Sequence, residues 1–149
     1  MTNWKKFKLL DLGKIITGKT PSTKDSSLYN GNIPFVCIPD LGKNKRVRRT
    51  NKTISQKGAN TLKNLIIPKD SVMVSCIATI GKVGIASTPS LTNQQINSII
   101  PNNVLVDTDF LYYLLKNEGD KIGIYGGGGS VFNIISKSKF SEISFSIPD

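Results

Sequence analysis

Residues 13–22 read GKIITGKTPS. Gly13, Gly18, Lys19 and Thr20 have the spacing of a phosphate-binding P-loop, in which glycine-rich backbone curls N–H groups around an anion and then opens a helix. The chemistry served by such a loop is nucleotide binding and hydrolysis. It needs a helix whose positive end faces the phosphate, and here Pro21 follows Thr20 at once. The next stretch, STKDSSLYNGN, offers no apolar stripe for such a helix to bury. Ile15 and Ile16, between the glycines, read as core residues. Asp40, in FVCIPD, could mimic the acidic residue of a nucleotide-binding strand, but Pro39 interrupts that run. Nucleotide binding through Gly13–Thr20 is therefore an alternative reading and not the leading one.

Other chemistry is excluded by residue type. Histidine is absent, which removes Ser-His and Cys-His pairs, histidine metal ligands and an imidazole base. Cys37 and Cys76 cannot supply the four ligands of a cysteine zinc site. They lie in the apolar runs FVCI and VSCIA and read as small hydrophobes. The ten Asp and Glu residues form no tight cluster of the kind a two-metal nuclease uses. No NPPY-like tetrapeptide for amino-methyl transfer is present, nor a glycine-rich methyl-donor loop after a strand. YGGGGSVFN, 125–133, could cradle an anion or simply join two elements flexibly. Catalysis by this chain alone is not expected, and neither is a metal or cofactor of its own.

Charge points to a partner. The net charge is +10 over 149 residues. Residues 1–75 hold 15 Lys/Arg and 4 Asp, for +11, whereas 76–149 hold 5 Lys and 6 acids, for −1. The densest part is KNKRVRRTNK, 43–52. A segment of that kind favours a polyanion by neutralising phosphates and releasing their counterions. The same charge would also suit an RNA-associated protein, or a solvated basic loop with no partner at all.

The elements that must carry these residues are short. WKKFKLL opens as a strand, and LLDLGKI makes one helical turn ended by Gly18 and Pro21. TPSTKDSSLYNGN is rich in turn formers and reads as a loop. IPFVCIP, bounded by prolines, predicts a short strand or one near a sheet edge. Ser55 is placed to cap a short helix. DSVMVSCIATIGKVGIAS reads as two strands joined at ATIG, with Val72, Val74 and Cys76 on one face and Met73, Ser75 and Ile77 on the other. LTNQQINSIIP is a further strand ended by Pro101. DTDFLYYLLKNEG is the best helix, capped by Asp107 or Thr108, ended by Gly119, with Phe110, Leu111, Leu114 and Leu115 buried. The closing segment predicts a turn and then a strand with Ile143, Phe145 and Ile147 on one side. The fold class is α+β, a compact single domain of mostly short mixed strands with a few short helices. The apolar runs are far short of the roughly 20 residues a membrane helix needs, and the N-terminus is no signal peptide. A cytoplasmic protein without membrane association is expected.

Laid in order, the segments W-x-x-F-K-L, GKTPST, YNGNIPFVCIPDL, TISQKG, IIPKDSVMVSCIATIGKVGIAS, TNQQINSII, FLYYLL and GSVFNIISKSKFSEISFSIP resemble a target recognition domain of the specificity (S) subunit of type I restriction-modification enzymes. The resemblance runs from Trp4 to Pro148. It implies a module that reads one half of a split double-stranded DNA site. In the family a spacer helix and a second recognition domain complete the subunit, and neither is expected within 1–149. The implied partners are duplex DNA, methyltransferase (M) and restriction (R) subunits, and a second recognition domain or half-subunit. S-adenosylmethionine, ATP and Mg would belong to those subunits. The recognition domain of a fused restriction-methylation enzyme is the nearest alternative.

On this reading Lys43, Lys45, Arg46, Arg48, Arg49 and Lys52 contact phosphate, with Arg46, Arg48 or Arg49 favoured for guanine edges because guanidinium can grip guanine bidentately. Thr20, Ser22, Thr23 and Lys24 are candidates for base or phosphate hydrogen bonds, and Lys82 for a phosphate clamp. Gly128, Gly129 and Ser130 could offer backbone N–H groups, with Asn133 nearby. Gln94, Gln95 and Asn97 are assigned to scaffold, because TNQQIN is common to family members that read different sequences. Trp4, Phe35, Phe110, Tyr112 and Phe145 are expected in the core.

Overall fold

β-Branched residues concentrate in the middle of the chain, and that is where the principal sheet forms. The computed structural model describes residues 2–125 and 134–149. Its main sheet has five strands in the order β2 (Gly13–Thr17), β9 (Ile96–Pro101), β6 (Val72–Ser75), β7 (Val83–Ala86), β4 (Arg46–Val47). All pairings are antiparallel except that of β4 with β7. A three-stranded sheet has the order β5 (Lys52–Ile54), β3 (Tyr29–Val36), β8 (Leu91–Thr92), and β1 (Trp4–Lys8) pairs antiparallel with β10 (Ser144–Pro148). The helices are α1 (Leu9–Leu12), α2 (Gln56–Thr61), α3 (Thr108–Asn117), α4 (Gly119–Tyr125) and α5 (Lys137–Glu142).

Alternation along the strands divides the core. Ile15, Val72, Val74, Val83, Ile85 and Ile99 pack with α1, α3, α5 and the β1–β10 ribbon. Their alternates Ile16, Met73, Ala86 and Ile96 pack with Val36, Leu41 and Val47 on the opposite face. A third cluster joins Phe35, Ile54, Ala59 and Leu91 beneath α2. The two-strand reading of 70–87 and its face assignment hold. Ser55 caps α2 by accepting from the Gly58 N–H at 3.0 Å, and Asp107 caps α3 by accepting from Phe110 N–H at 3.0 Å. Ile143, Phe145 and Ile147 share the buried side expected of them.

Several expectations need correction. GKIIT is strand β2, not the end of a helical turn, because Ile15 and Ile16 serve opposite faces of the sheet. LTNQQINSIIP is two strands in different sheets, β8 and β9, broken at Asn93–Gln95. The first four residues of IPFVCIP end the eight-residue central strand β3, and Ile38–Asp40 form a 3-10 turn. Pro34 is tolerated there because pairing with β8 begins only at Phe35. In α3 the buried residues are Leu111, Tyr112 and Leu115, while Phe110 turns outward, and Gly119 opens α4. Trp4 is 65% exposed on the ribbon and is not core.

Candidate nucleic-acid interface

The basic segment is not a free loop. Its centre is β4, whose Val47 is buried and whose backbone is held to β7: Ile85 N–H donates to the Lys45 carbonyl at 2.8 Å. Asp40 closes the segment at its base. One carboxylate oxygen accepts from Cys37 N–H at 2.9 Å and the other from Asn51 N–H at 3.0 Å. The result is a shallow cleft lined by Lys43, Asn44, Lys45, Arg46, Arg48, Arg49, Thr50 and Asn51 with Asp40. A second shallow cleft beside it brings Arg46 and Arg48 to Lys69, Asp70, Ser87 and Thr88.

The cations differ in what they touch. Lys43, Arg48, Arg49 and Lys52 are exposed and form no ion pair among the described residues. Arg46 donates to Asp70 at 2.8 Å. The Lys45 ammonium is 3.0 Å from Asp109 and 4.9 Å from the centre of the Tyr113 ring. The hydrogen bond to Asp109 raises the Lys45 pKa above the ordinary lysine value. Lys82, in the β6–β7 turn, runs its aliphatic stem over Gly42, whose φ of 85° is one glycine accepts readily. Lys82 therefore lies beside the start of the basic segment.

Strand directions bring the polar-loop candidates toward the same end. β3 and β8 run parallel and β5 runs against them, so Val36, Thr92 and Lys52 lie together. Asn93 N–H donates to the Val36 carbonyl at 3.1 Å, and Lys19 N–H to the Thr92 carbonyl at 3.0 Å. Thr20, Ser22, Thr23 and Lys24 follow Lys19 directly. Ser22, Thr23 and Lys24 are exposed, while the Thr20 hydroxyl bonds Gln94 Oε1 at 2.7 Å. Gly128, Gly129, Ser130 and Asn133 lie outside the described residues.

These bonds also overturn the P-loop reading of Gly13–Thr20. The amides that would cradle a phosphate are spent within the fold: Gly18 N–H donates to the Ile96 carbonyl at 3.3 Å, and Lys19 N–H to Thr92. No helix opens after Thr20; the next helical turn is the three-residue Ser26–Leu28. Glycine is needed at 18 for close approach, since a Cβ there would meet Thr92 Oγ1 at 2.1 Å.

Asn97 is scaffold. It is buried, accepts from the Thr17 hydroxyl at 2.6 Å and donates to the Ile135 carbonyl at 3.2 Å, tying β2 to the approach to α5. Asn97→Ala is expected to cost about 2 kcal/mol by leaving those partners unsatisfied. Thermal unfolding would read this as a drop of roughly 5 °C for a chain of this size, and an unchanged midpoint would refute the assignment. Gln94 is more exposed than a purely scaffolding role requires, and touches the polar loop at Thr20. The sequence reading missed Asp40, Asp70 and Asp109 as organisers of the basic segment. The one local signal was Asp40 three residues after Cys37, the spacing of a turn-closing carboxylate.

Comparison with known proteins settles the family. The sequence model of the type I restriction modification DNA specificity domain matches residues 1–149. The chain belongs to that family. Among curated relatives, this specificity domain is 40% identical over 147 residues to the type I restriction enzyme HindI specificity subunit of Haemophilus influenzae, covering 97% of this chain and 32% of that protein. It is 32% identical to the MjaIX specificity subunit of Methanocaldococcus jannaschii, covering 98% and 34%. The chain thus spans about a third of the length of these relatives. Its fold is that of the HsdS subunit from Thermoanaerobacter tengcongensis, with a TM-score of 0.72 at 17% identity over 97% of this chain and 33% of that one. It also matches the S subunit from M. genitalium, with a TM-score of 0.68 at 19% identity over 99% and 35%. No helix among the described residues is long and apolar enough to cross a membrane.

Proposed function

We propose that this chain is a single recognition unit that reads one half of a split duplex-DNA site for a type I restriction-modification complex, without catalysis of its own. The observation that carries the reading is the set of exposed cations Lys43, Arg48, Arg49 and Lys52, without an ion pair among the described residues, mounted around a strand fixed to the core. Phosphate contacts would come from these residues and from Lys82 and Lys24. Base contacts would come from Arg48 or Arg49 and from Thr20, Ser22 and Thr23. Methyltransferase and restriction subunits are the partners, together with a second recognition domain or half-subunit, and the cytoplasm is the compartment. S-adenosylmethionine, ATP and Mg would act in those partner subunits.

Selection from a randomised duplex pool at fixed salt tests the reading. A short enriched half-site is expected, and placing the domain in a complete specificity subunit should then direct adenine methylation to sites containing it. Binding that is indifferent to sequence, or that prefers RNA in competition, would refute the proposal.

A further inference from the structure

Lys45 and Arg46 occupy the middle of the basic segment, yet each is engaged by a carboxylate while, among the described residues, its basic neighbours are not. We propose that Asp70 and Asp109 withhold these two cations from DNA phosphate, so that Lys45 and Arg46 position the segment and Arg48 and Arg49 are left to contact the duplex. The inference rests on the DNA-reading role proposed above.

The carboxylates are rigidly mounted. Asp70 has a φ of 69°, in the left-handed region that Asp tolerates better than most residues. Its N–H donates to the Ala86 carbonyl at 2.9 Å, and its own carbonyl accepts from the Thr108 hydroxyl at 3.4 Å. Asp109 lies in the first turn of α3, and Tyr113, one helical turn on, places its ring beneath the Lys45 ammonium. Two acceptors on different elements therefore face consecutive residues at the edge strand.

Strength argues against a role in stability. The side chains are 34% and 44% exposed in the Arg46–Asp70 pair, and 35% and 54% in the Lys45–Asp109 pair. Pairs this wet contribute little to folding. They matter more for binding, because sequence-independent affinity grows with the number of cations able to displace counterions. Withholding two of them lowers that background. Fixing Arg46 also fixes the direction in which the strand delivers Arg48.

The test is the double variant Asp70→Asn/Asp109→Asn against the control Glu142→Gln/Asp149→Asn. The control changes net charge equally by freeing Lys8 and Lys5 on the β1–β10 ribbon. Binding is measured to a selected half-site and to unrelated duplex across a salt series, with a thermal midpoint for each protein. In the test variant, affinity for unrelated duplex is expected to rise about tenfold, and the log–log salt slope to steepen by about 2. Affinity for the half-site should gain less, so that selectivity falls several-fold. Should the double variant fold poorly, Asp109→Asn alone carries the test, with a slope change of about 1. An unchanged slope, unchanged selectivity or an equal response in the control would overturn the inference. A parent chain that selects no half-site would instead sink the DNA-reading role itself.

Discussion

Replacing Arg48 and Arg49 together with alanine is expected to weaken duplex binding by about 100-fold at moderate salt, the largest single effect on function that this surface offers. Both side chains are exposed and neither has a carboxylate partner among the described residues. All of their interaction free energy is therefore available to DNA. If both contact phosphate, the salt slope should flatten by nearly 2, and affinity should fall uniformly across sequences. If one grips a guanine edge, preference at that position should relax by about 1–3 kcal/mol while the slope changes less. The fold should be indifferent, because surface changes of this kind usually fall within about 0.5 kcal/mol and β4 is held by backbone bonds and Val47. A salt titration with two duplexes reads all of this. Unaltered affinity together with an unaltered slope would place the arginines off the interface.

What could be read from the chain depended on the distance over which each feature is determined. The caps at Ser55 and Asp107, the hairpin of 70–87 and the face assignment of Val72, Val74 and Met73 are local, and these were legible. The misread elements were decided by partners far along the sequence. GKIIT looks helical beside LLDL until β9 supplies a ladder from Asn97 to Pro101. Tyr112 is in the core as expected, but Phe110 is not, because α3 meets β6 and β7 on a face one position round from the one its apolar pattern suggested. The candidate site divides in the same way. Charge density in KNKRVRRTNK is a property of composition and marks the segment by itself. Which of its cations are engaged depends on Asp70 and Asp109, some 24 and 64 residues on from Arg46 and Lys45, and no spacing within the segment encodes that.

The same contrast between local pattern and distant contact makes Gly18→Ala the most damaging single substitution expected for the fold. A P-loop reading would make Gly18 a phosphate contact and Lys19 its charged partner, so both changes would abolish Mg-nucleotide binding and leave the fold intact. The packing predicts the reverse. A Cβ at 18 would lie 2.1 Å from Thr92 Oγ1, 2.2 Å from the Thr92 carbonyl oxygen and 2.3 Å from the Asn93 carbonyl oxygen. Two of those atoms are backbone and cannot rotate away. β2 must then withdraw from the β8–β9 connection, straining or losing the Gly18 to Ile96 and Lys19 to Thr92 hydrogen bonds. Overpacking and two weakened bonds together cost about 4 kcal/mol, or roughly 10 °C of melting temperature. Lys19→Ala, at an exposed side chain, should stay within about 0.5 kcal/mol. Calorimetric titration with Mg-ATP should detect no binding to the parent chain. Clear binding that Lys19→Ala removes, with Gly18→Ala melting like the parent, would return Gly13–Thr20 to the phosphate-binding role that its spacing first suggested.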